Sequence, residues 1–227
     1  MTIREHLQEI RIQMEESCRK TGRDPKEVTL IAVSKTKPVD MLQEAYQAGA
    51  RQFGENKVQE LLGKIPQMPQ DVDWHLIGHL QTNKVKGVIG KTSLIHSVDS
   101  VKLAGEIEKE SAKQGLATDI LLEVNVAREE SKFGFFLEDT EKALRTISLF
   151  PHVRVCGLMT IAPFVADAEE NRPVFRKLYE FYVDMKSKNI DNVNMAVLSM
   201  GMTGDFRVAI EEGATMIRVG TGIFGLR

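Results

Sequence analysis

The stretch IRVGTGIFGLR (217–227) carries Gly220, Gly222 and Gly225 at the G-x-G-x-x-G spacing that holds a pyrophosphate in a dinucleotide fold. That fold needs a helix opening on the glycines and an acidic ribose ligand about 20 residues further on. Only Leu226 and Arg227 follow Gly225. The expectation is therefore a strand-end loop and no dinucleotide site, and the fold must come from what precedes it.

Upstream, short apolar runs alternate with amphipathic helical stretches. The runs are TLIAVSK (29–35), RQFGE (51–55), DWHLIG (73–78), SLIHSV (93–98), DILLEVNV (119–126), VRVCGLMTI (153–161), NMAVLSM (194–200) and TMIRVGT (215–221). Eight β-type runs, each but the last followed by helical periodicity, predict a closed (β/α)₈ barrel, an α/β fold, over residues 1–227 as one domain. The last unit has no helix of its own. The opening segment, with Ile3, Leu7, Ile10, Met14 and Cys18 on one stripe and Thr2 and Glu5 spaced as a capping box, is expected to fill that outer position.

Thirty basic residues against thirty-two acidic ones leave no global attraction to nucleic acid or a membrane surface. No apolar run is long enough to span a bilayer and no signal peptide is recognised, so the expected location is the cytoplasm. Cys18 and Cys156 read as core thiols. His75 and His79 lack the glutamate of a zinc-protease motif and straddle a strand end, so no metal site is expected.

In such barrels chemistry sits at the carboxyl ends of the strands, with phosphate held by the loops after strands seven and eight. Ser199, Gly201 and Gly204 in SMGMTGDF (199–206), and Gly220 and Thr221 in RVGTG (218–222), supply a hydroxyl, amides and a second hydroxyl there. Alternation puts Ile31, Val33 and Lys35 on one face, and Met216, Arg218 and Gly220 on another. An inward Lys35 in an apolar mouth is a desolvated amine able to form a Schiff base. An aldehyde that also carries a phosphate suits this set, and pyridoxal 5′-phosphate (PLP) is the obvious candidate. Glu123 and Asn125 share a face and are read as polar mouth residues. Met195, Met200, Met202 and Met216 are read as filling an interior beside a cofactor.

AVSKTKP (32–38), FGENKVQE (53–60), WHLIGHLQTNK (74–84), IHSVDS (95–100), SKFGF (131–135), GLMTIAP (157–163), LSMGMTGDFRVAIEEGAT (198–215) and IRVGTGIFG (217–225) together resemble the pyridoxal phosphate homeostasis protein family, whose barrel is that of the alanine racemase N-terminal domain. The resemblance implies that Lys35 forms the internal aldimine and that Asn56 lies near the cofactor. It implies that Ser199, Gly220 and Thr221 bind the phosphate, and that Arg218 faces the pyridine nitrogen. Lys132 occupies a position similar to a racemase arginine, and Lys57 departs from the aromatic residue of many relatives. An arginine partner, which only donates, leaves the ring nitrogen unprotonated and the ring a poor electron sink. The second acid/base of the racemase is a tyrosine from an additional domain. Tyr46, Tyr179 and Tyr182 here fall in segments read as outer helices.

The resemblance implies a monomeric carrier or regulator of PLP that serves PLP-dependent apo-enzymes and has no strong catalytic activity of its own. A minor PLP-dependent amino-acid racemase is the first rival. An aldolase-type barrel acting on a sugar phosphate through Lys35 is the second.

Overall fold

The computed structural model describes residues 2–225; Met1, Leu226 and Arg227, the ends of the expected 1–227 domain, lie outside the described residues. The expected barrel is present. Its strands are β1 (Thr29–Val33), β2 (Gln52–Glu55), β3 (Asp73–Leu76), β4 (Leu94–Val98), β5 (Thr118–Glu123), β6 (Val153–Met159), β7 (Val193–Met202) and β8 (Met216–Val219). All pair in parallel in sequence order, and β1 closes on β8 with Ile31 opposite Arg218 and Ala32 opposite Val219.

The outer layer holds α1 (Ile3–Lys20), α2 (Val39–Gln47), α3 (Val58–Lys64), α4 (Val85–Val88), α5 (Val101–Gln114), α6 (Leu137–Ile147), α7 (Arg172–Ser187), α8 (Phe206–Glu211) and α9 (Thr221–Phe224). The capping box of α1 forms, with Thr2 Oγ1 accepting from the Glu5 amide and Glu5 accepting from the Thr2 amide. Leu7, Ile10, Met14 and Cys18 are buried along its inner stripe. As expected, α1 packs where the last unit is short of a helix. It contacts α2, α8 and α9, and His6 Nδ1 lies 2.9 Å from the Ile223 carbonyl. One detail differs from the sequence reading: a single helical turn, α9, forms across the glycine motif itself, because Gly220 and Thr221 supply the carbonyls that its last amides need.

Two apolar regions result. Between strands and helices lies the large core, which takes Ala32, Phe53, Trp74, Leu198 and Ile217 from the outward faces of the strands. Inside the barrel, Leu94, Leu121 and Met159 pack with Cys156, Val197 and Met216. Of the methionines read as interior, only Met216 is in this inner group. Met195 and Met200 face the helices, and Met202 is partly exposed at a strand end. Met200 follows inward Ser199 and faces out by plain alternation, whereas Met195 and Met202 lie at register shifts of β7, between Val193 and Val197 against β6 and between Ser199 and Met202 against β8. Gly201, after the shift, turns outward at φ 90°, and a Cβ on it would meet Ala209 Cβ at 2.5 Å.

A second irregularity, in β6, is more demanding. At Gly157 φ is 151°, and a Cβ would stand 1.8 Å from the Val197 carbonyl oxygen. No side-chain rotation relieves a clash with backbone. Gly157→Ala is expected to lower unfolding stability by at least about 3 kcal/mol, measurable in urea titrations, whereas Gly63→Ala, where a Cβ meets nothing within 4 Å, is expected to be neutral or stabilising.

Candidate functional site

The barrel closure brings the end of β1 beside the end of β8. Gly220 packs on Val33, with room for a Cβ only at 3.3 Å from the Val33 carbonyl oxygen. Gly222 is equally constrained, its Cβ position lying 3.0 Å from Val219 Cγ1 and 3.1 Å from Thr203 Cγ2. Around these glycines the Thr221 and Thr203 hydroxyls lie 3.2 Å apart, and the Gly222 amide donates to Thr203 Oγ1 at 3.3 Å. Two hydroxyls and a backbone amide converge in a tight cradle, where a Cβ on either glycine would need its neighbours to give by a few tenths of an ångström. Thr203 was not singled out by the sequence reading. Its polar setting, M-T-G-D, was visible, but strand parity cannot be carried through the shift in β7.

Ser199 is elsewhere. Its hydroxyl is fully buried inside the barrel, accepting from Arg218 Nη1 at 2.6 Å and lying 3.0 Å from His96 Nδ1. Arg218 Nη2 donates to the Thr160 carbonyl at 2.8 Å. Burial lowers the Arg218 pKa to about 10, so the guanidinium is still charged at neutral pH. Ile31 stands opposite Arg218 in the β1–β8 pairing, as the alternation of both strands predicts.

Lys35 follows β1 in a tight turn, half-buried, next to Thr36 in the left-handed region at φ 64°. This strained turn is braced from outside the barrel. The Thr36 amide donates to Glu60 Oε1 at 2.5 Å, and the Lys64 ammonium, buried beneath α3, donates to the Ser34 carbonyl at 2.8 Å. Lys64 also pairs with Glu55 and Glu60 at 2.8 and 2.6 Å, and the Ser34 hydroxyl donates to Glu55 at 2.6 Å. Glu55 is wholly buried, its Oε2 accepts no hydrogen bond from the described residues, and burial raises its pKa. Lys37 donates to the Phe224 and Gly225 carbonyls at 3.1 and 3.0 Å and so ties the same turn to α9. Half-buried Asn56, just after β2, lies against the backbone that follows β3: a Cβ on Gly78 would lie 2.6 Å from the Asn56 carbonyl oxygen.

At the rim opposite β1, Glu123 ends β5. Burial, helped by the nearby Asp99, raises its pKa to about 7. Asn125 is a loop brace: its Oδ1 accepts from the Glu129 amide and its Nδ2 donates to the Glu129 and Lys132 carbonyls. His79 leaves the strand region, stacks on Phe133 with centroids 3.7 Å apart and pairs with Asp99 at 3.0 Å. Tyr46 lies on α2, and Tyr179 and Tyr182 on α7. Tyr46 and Tyr182 donate to Asp71 and the Met195 carbonyl, away from the mouth. Among the described residues no three metal-ligating side chains gather, and no helix is long and apolar enough to cross a membrane.

Known proteins share this architecture. Residues 6–227 match the family model of the alanine racemase N-terminal domain. A pyridoxal phosphate homeostasis protein of Aquifex aeolicus is 43% identical over 224 residues, covering 98% of this chain and 97% of that protein. The chain belongs to the pyridoxal phosphate homeostasis protein family. Among solved structures, PipY of Synechococcus elongatus with PLP bound aligns with a TM-score of 0.85 at 35% identity, over 99% of this chain and all of that one. An alanine racemase of Clostridium difficile, at 12% identity and TM-score 0.77, covers this whole chain with 57% of its own length and shares the fold. The family's barrel thus accounts for the joined ends of β1 and β8.

The donor set fits a phosphorylated aromatic aldehyde: an amine on a braced turn, a glycine-lined cradle with hydroxyls, and a donor-only cation beneath. The interior histidines carry a separate consequence for stability. Burial lowers the His75 pKa to about 4 and that of His96 well below its ordinary value, whereas unfolded histidines titrate near 6.5. Between those values the unfolded chain binds protons that the folded histidines refuse, so their contribution to stability falls as pH drops from about 6.5 to about 4, by about 3 kcal/mol for His75. Glu123, its pKa raised to about 7, acts with the opposite sign over the same range, so the loss is read in a Glu123→Gln background: urea unfolding there at pH 7 and pH 4.5 should show it, and adding His75→Gln should reduce the difference between the two.

Proposed function

We propose that this protein binds pyridoxal 5′-phosphate, holds it as a Schiff base on Lys35, and buffers and delivers it to PLP-dependent apo-enzymes without strong catalysis of its own. The observation that carries this reading is the meeting, across the β1–β8 pair, of the Lys35 turn with the cradle at Gly220 and Thr221. Family membership and the PLP-bound PipY structure support it. In this reading the phosphate is taken by the Gly220, Thr221 and Gly222 backbone and hydroxyl groups together with Thr203. Arg218 meets the ring nitrogen, Asn56 lines the ring, and Ser199 acts on Arg218 in place of the phosphate role expected for it. The protein works as a monomer in the cytoplasm.

The cofactor supplies an aldehyde and an aromatic ring, and the chain's contribution is to bind and orient them. Arg218, charged and unable to accept a hydrogen bond, leaves the ring nitrogen without a proton, which weakens the ring as an electron sink. The three tyrosines point to their own outer-layer partners or lie on an outer helix, so none supports a second acid/base at the mouth. Purified wild type is expected to be yellow and Lys35→Ala colourless, and Thr203→Ala is expected to bind added PLP roughly tenfold more weakly. A colourless wild type that traps a sugar phosphate with borohydride would instead support the aldolase-type reading.

One observation favours a second reading, weak amino-acid racemisation: Glu123, on the strand across the barrel from β1, has a pKa raised to about 7 by burial, suited to proton transfer at neutral pH. The carrier reading expects negligible deuterium exchange at the α-carbon of alanine in heavy water. Exchange lost in both Lys35→Ala and Glu123→Gln would favour the racemase.

A further inference from the structure

A line of polar side chains crosses the barrel interior, which is otherwise apolar. Asp73, exposed at the start of β3, lies 2.6 Å from Gln52 Nε2. Gln52 Oε1 lies 2.6 Å from His75 Nε2, and His75 Nδ1 lies 3.0 Å from His96 Nε2. His96 Nδ1 then meets the Ser199 hydroxyl at 3.0 Å, and Ser199 meets Arg218 Nη1 at 2.6 Å.

The two ends of this line fix every proton in it. A carboxylate only accepts, so Gln52 presents its amide nitrogen to Asp73 and its oxygen to His75. His75 must then carry its proton on Nε2 and leave Nδ1 bare to accept from His96 Nε2–H. His96 Nδ1 is bare in turn and accepts from the Ser199 hydroxyl. At the other end a guanidinium only donates, so Ser199 Oγ accepts from Arg218 while giving its own proton to His96. All donors point from Arg218 toward Asp73, from cation to anion, and each link polarises the next. Reversing one link would set two acceptors or two donors face to face in a buried place.

We propose that Ser199 and His96 are positioning residues for Arg218: this one-way relay, together with the Thr160 carbonyl, locks the guanidinium in the orientation that meets the cofactor ring. The inference rests on the PLP reading for what Arg218 meets, but not for the relay itself. A hydroxyl that accepted from a histidine N–H as well as from Arg218 would have no partner for its own proton. The observed partners leave it one acceptor, His96 Nδ1.

Long-range proton–nitrogen NMR spectra of the full chain at pH 7 test the relay without cofactor. Both His75 and His96 are expected as neutral Nε2–H tautomers; a proton on Nδ1 of either, or a charged ring, would overturn the proposal. PLP titrations followed by absorbance test the positioning. Ser199→Ala is expected to shift the bound-cofactor band and raise the Kd roughly tenfold, with Ser199→Thr largely restoring both. Should Ser199→Ala fail to fold, His96→Asn, which keeps an acceptor near the Nδ1 position, is expected to preserve the band better than His96→Leu. Wild-type band and Kd in Ser199→Ala, or equal spectra from the two His96 variants, would overturn the positioning role. A wild type that develops no PLP band would refute the cofactor reading and with it the positioning role, while the histidine tautomers would still decide the relay.

Discussion

Hydrogen bonding of β1 to β8 is the constraint on which the site depends. Eight strands paired in parallel leave the first and last as neighbours only if the sheet closes, and closure sets Ile31 opposite Arg218 and Val33 against Gly220. Lys35 and Thr221 are separated by nearly the whole chain, yet their backbones leave adjacent strand ends. Glycine at 220 and 222 is what lets those ends approach so closely, since a Cβ at either position would press on Val33, Val219 or Thr203. The helix from the start of the chain completes this seam from outside, where α1 meets α2 on one side and α8 and α9 on the other.

Strain at the Lys35 turn is offset by charged groups placed behind it. The left-handed Thr36 next to Lys35 costs backbone energy, and α3 offsets it with the Glu60 carboxylate on the Thr36 amide and the Lys64 ammonium on the Ser34 carbonyl. Breaking such a buried network by removing one partner is far costlier than never having built it, so Glu55, Glu60 and Lys64 behave as a unit. The turn is thereby held in one conformation from its outer side.

Inside the barrel the balance is struck differently. Leu94, Leu121, Met159, Val197 and Met216 supply apolar filling, while Gln52, His75, His96, Ser199 and Arg218 form a chain in which every link has a donor and an acceptor. A buried guanidinium would be expensive alone. Here its charge is met by Ser199, the Thr160 carbonyl and, at longer range, Glu123 and Asp205. The two histidines remain neutral because burial penalises their charged form, and His75 and Arg218 add to that penalty for His96.

Local periodicity carried much of this. Alternation in TLIAVSK and TMIRVGT gave the inward faces of β1 and β8, the count of β-type runs gave the closed barrel, and the capping box with its apolar stripe gave α1 and its place. Those signals are local because period two and period 3.6 are properties of the backbone itself. What alternation could not supply lay beyond the irregularities in β6 and β7. One register shift turned Gly201 outward and left Thr203, unforeseen, beside Thr221. The grouping of Gln52, His75, His96, Ser199 and Arg218, residues from five strands, was likewise decided only by tertiary structure. Hydrogen-bond partners inside a barrel are chosen by which strands face one another across it, and no spacing within a single strand encodes that.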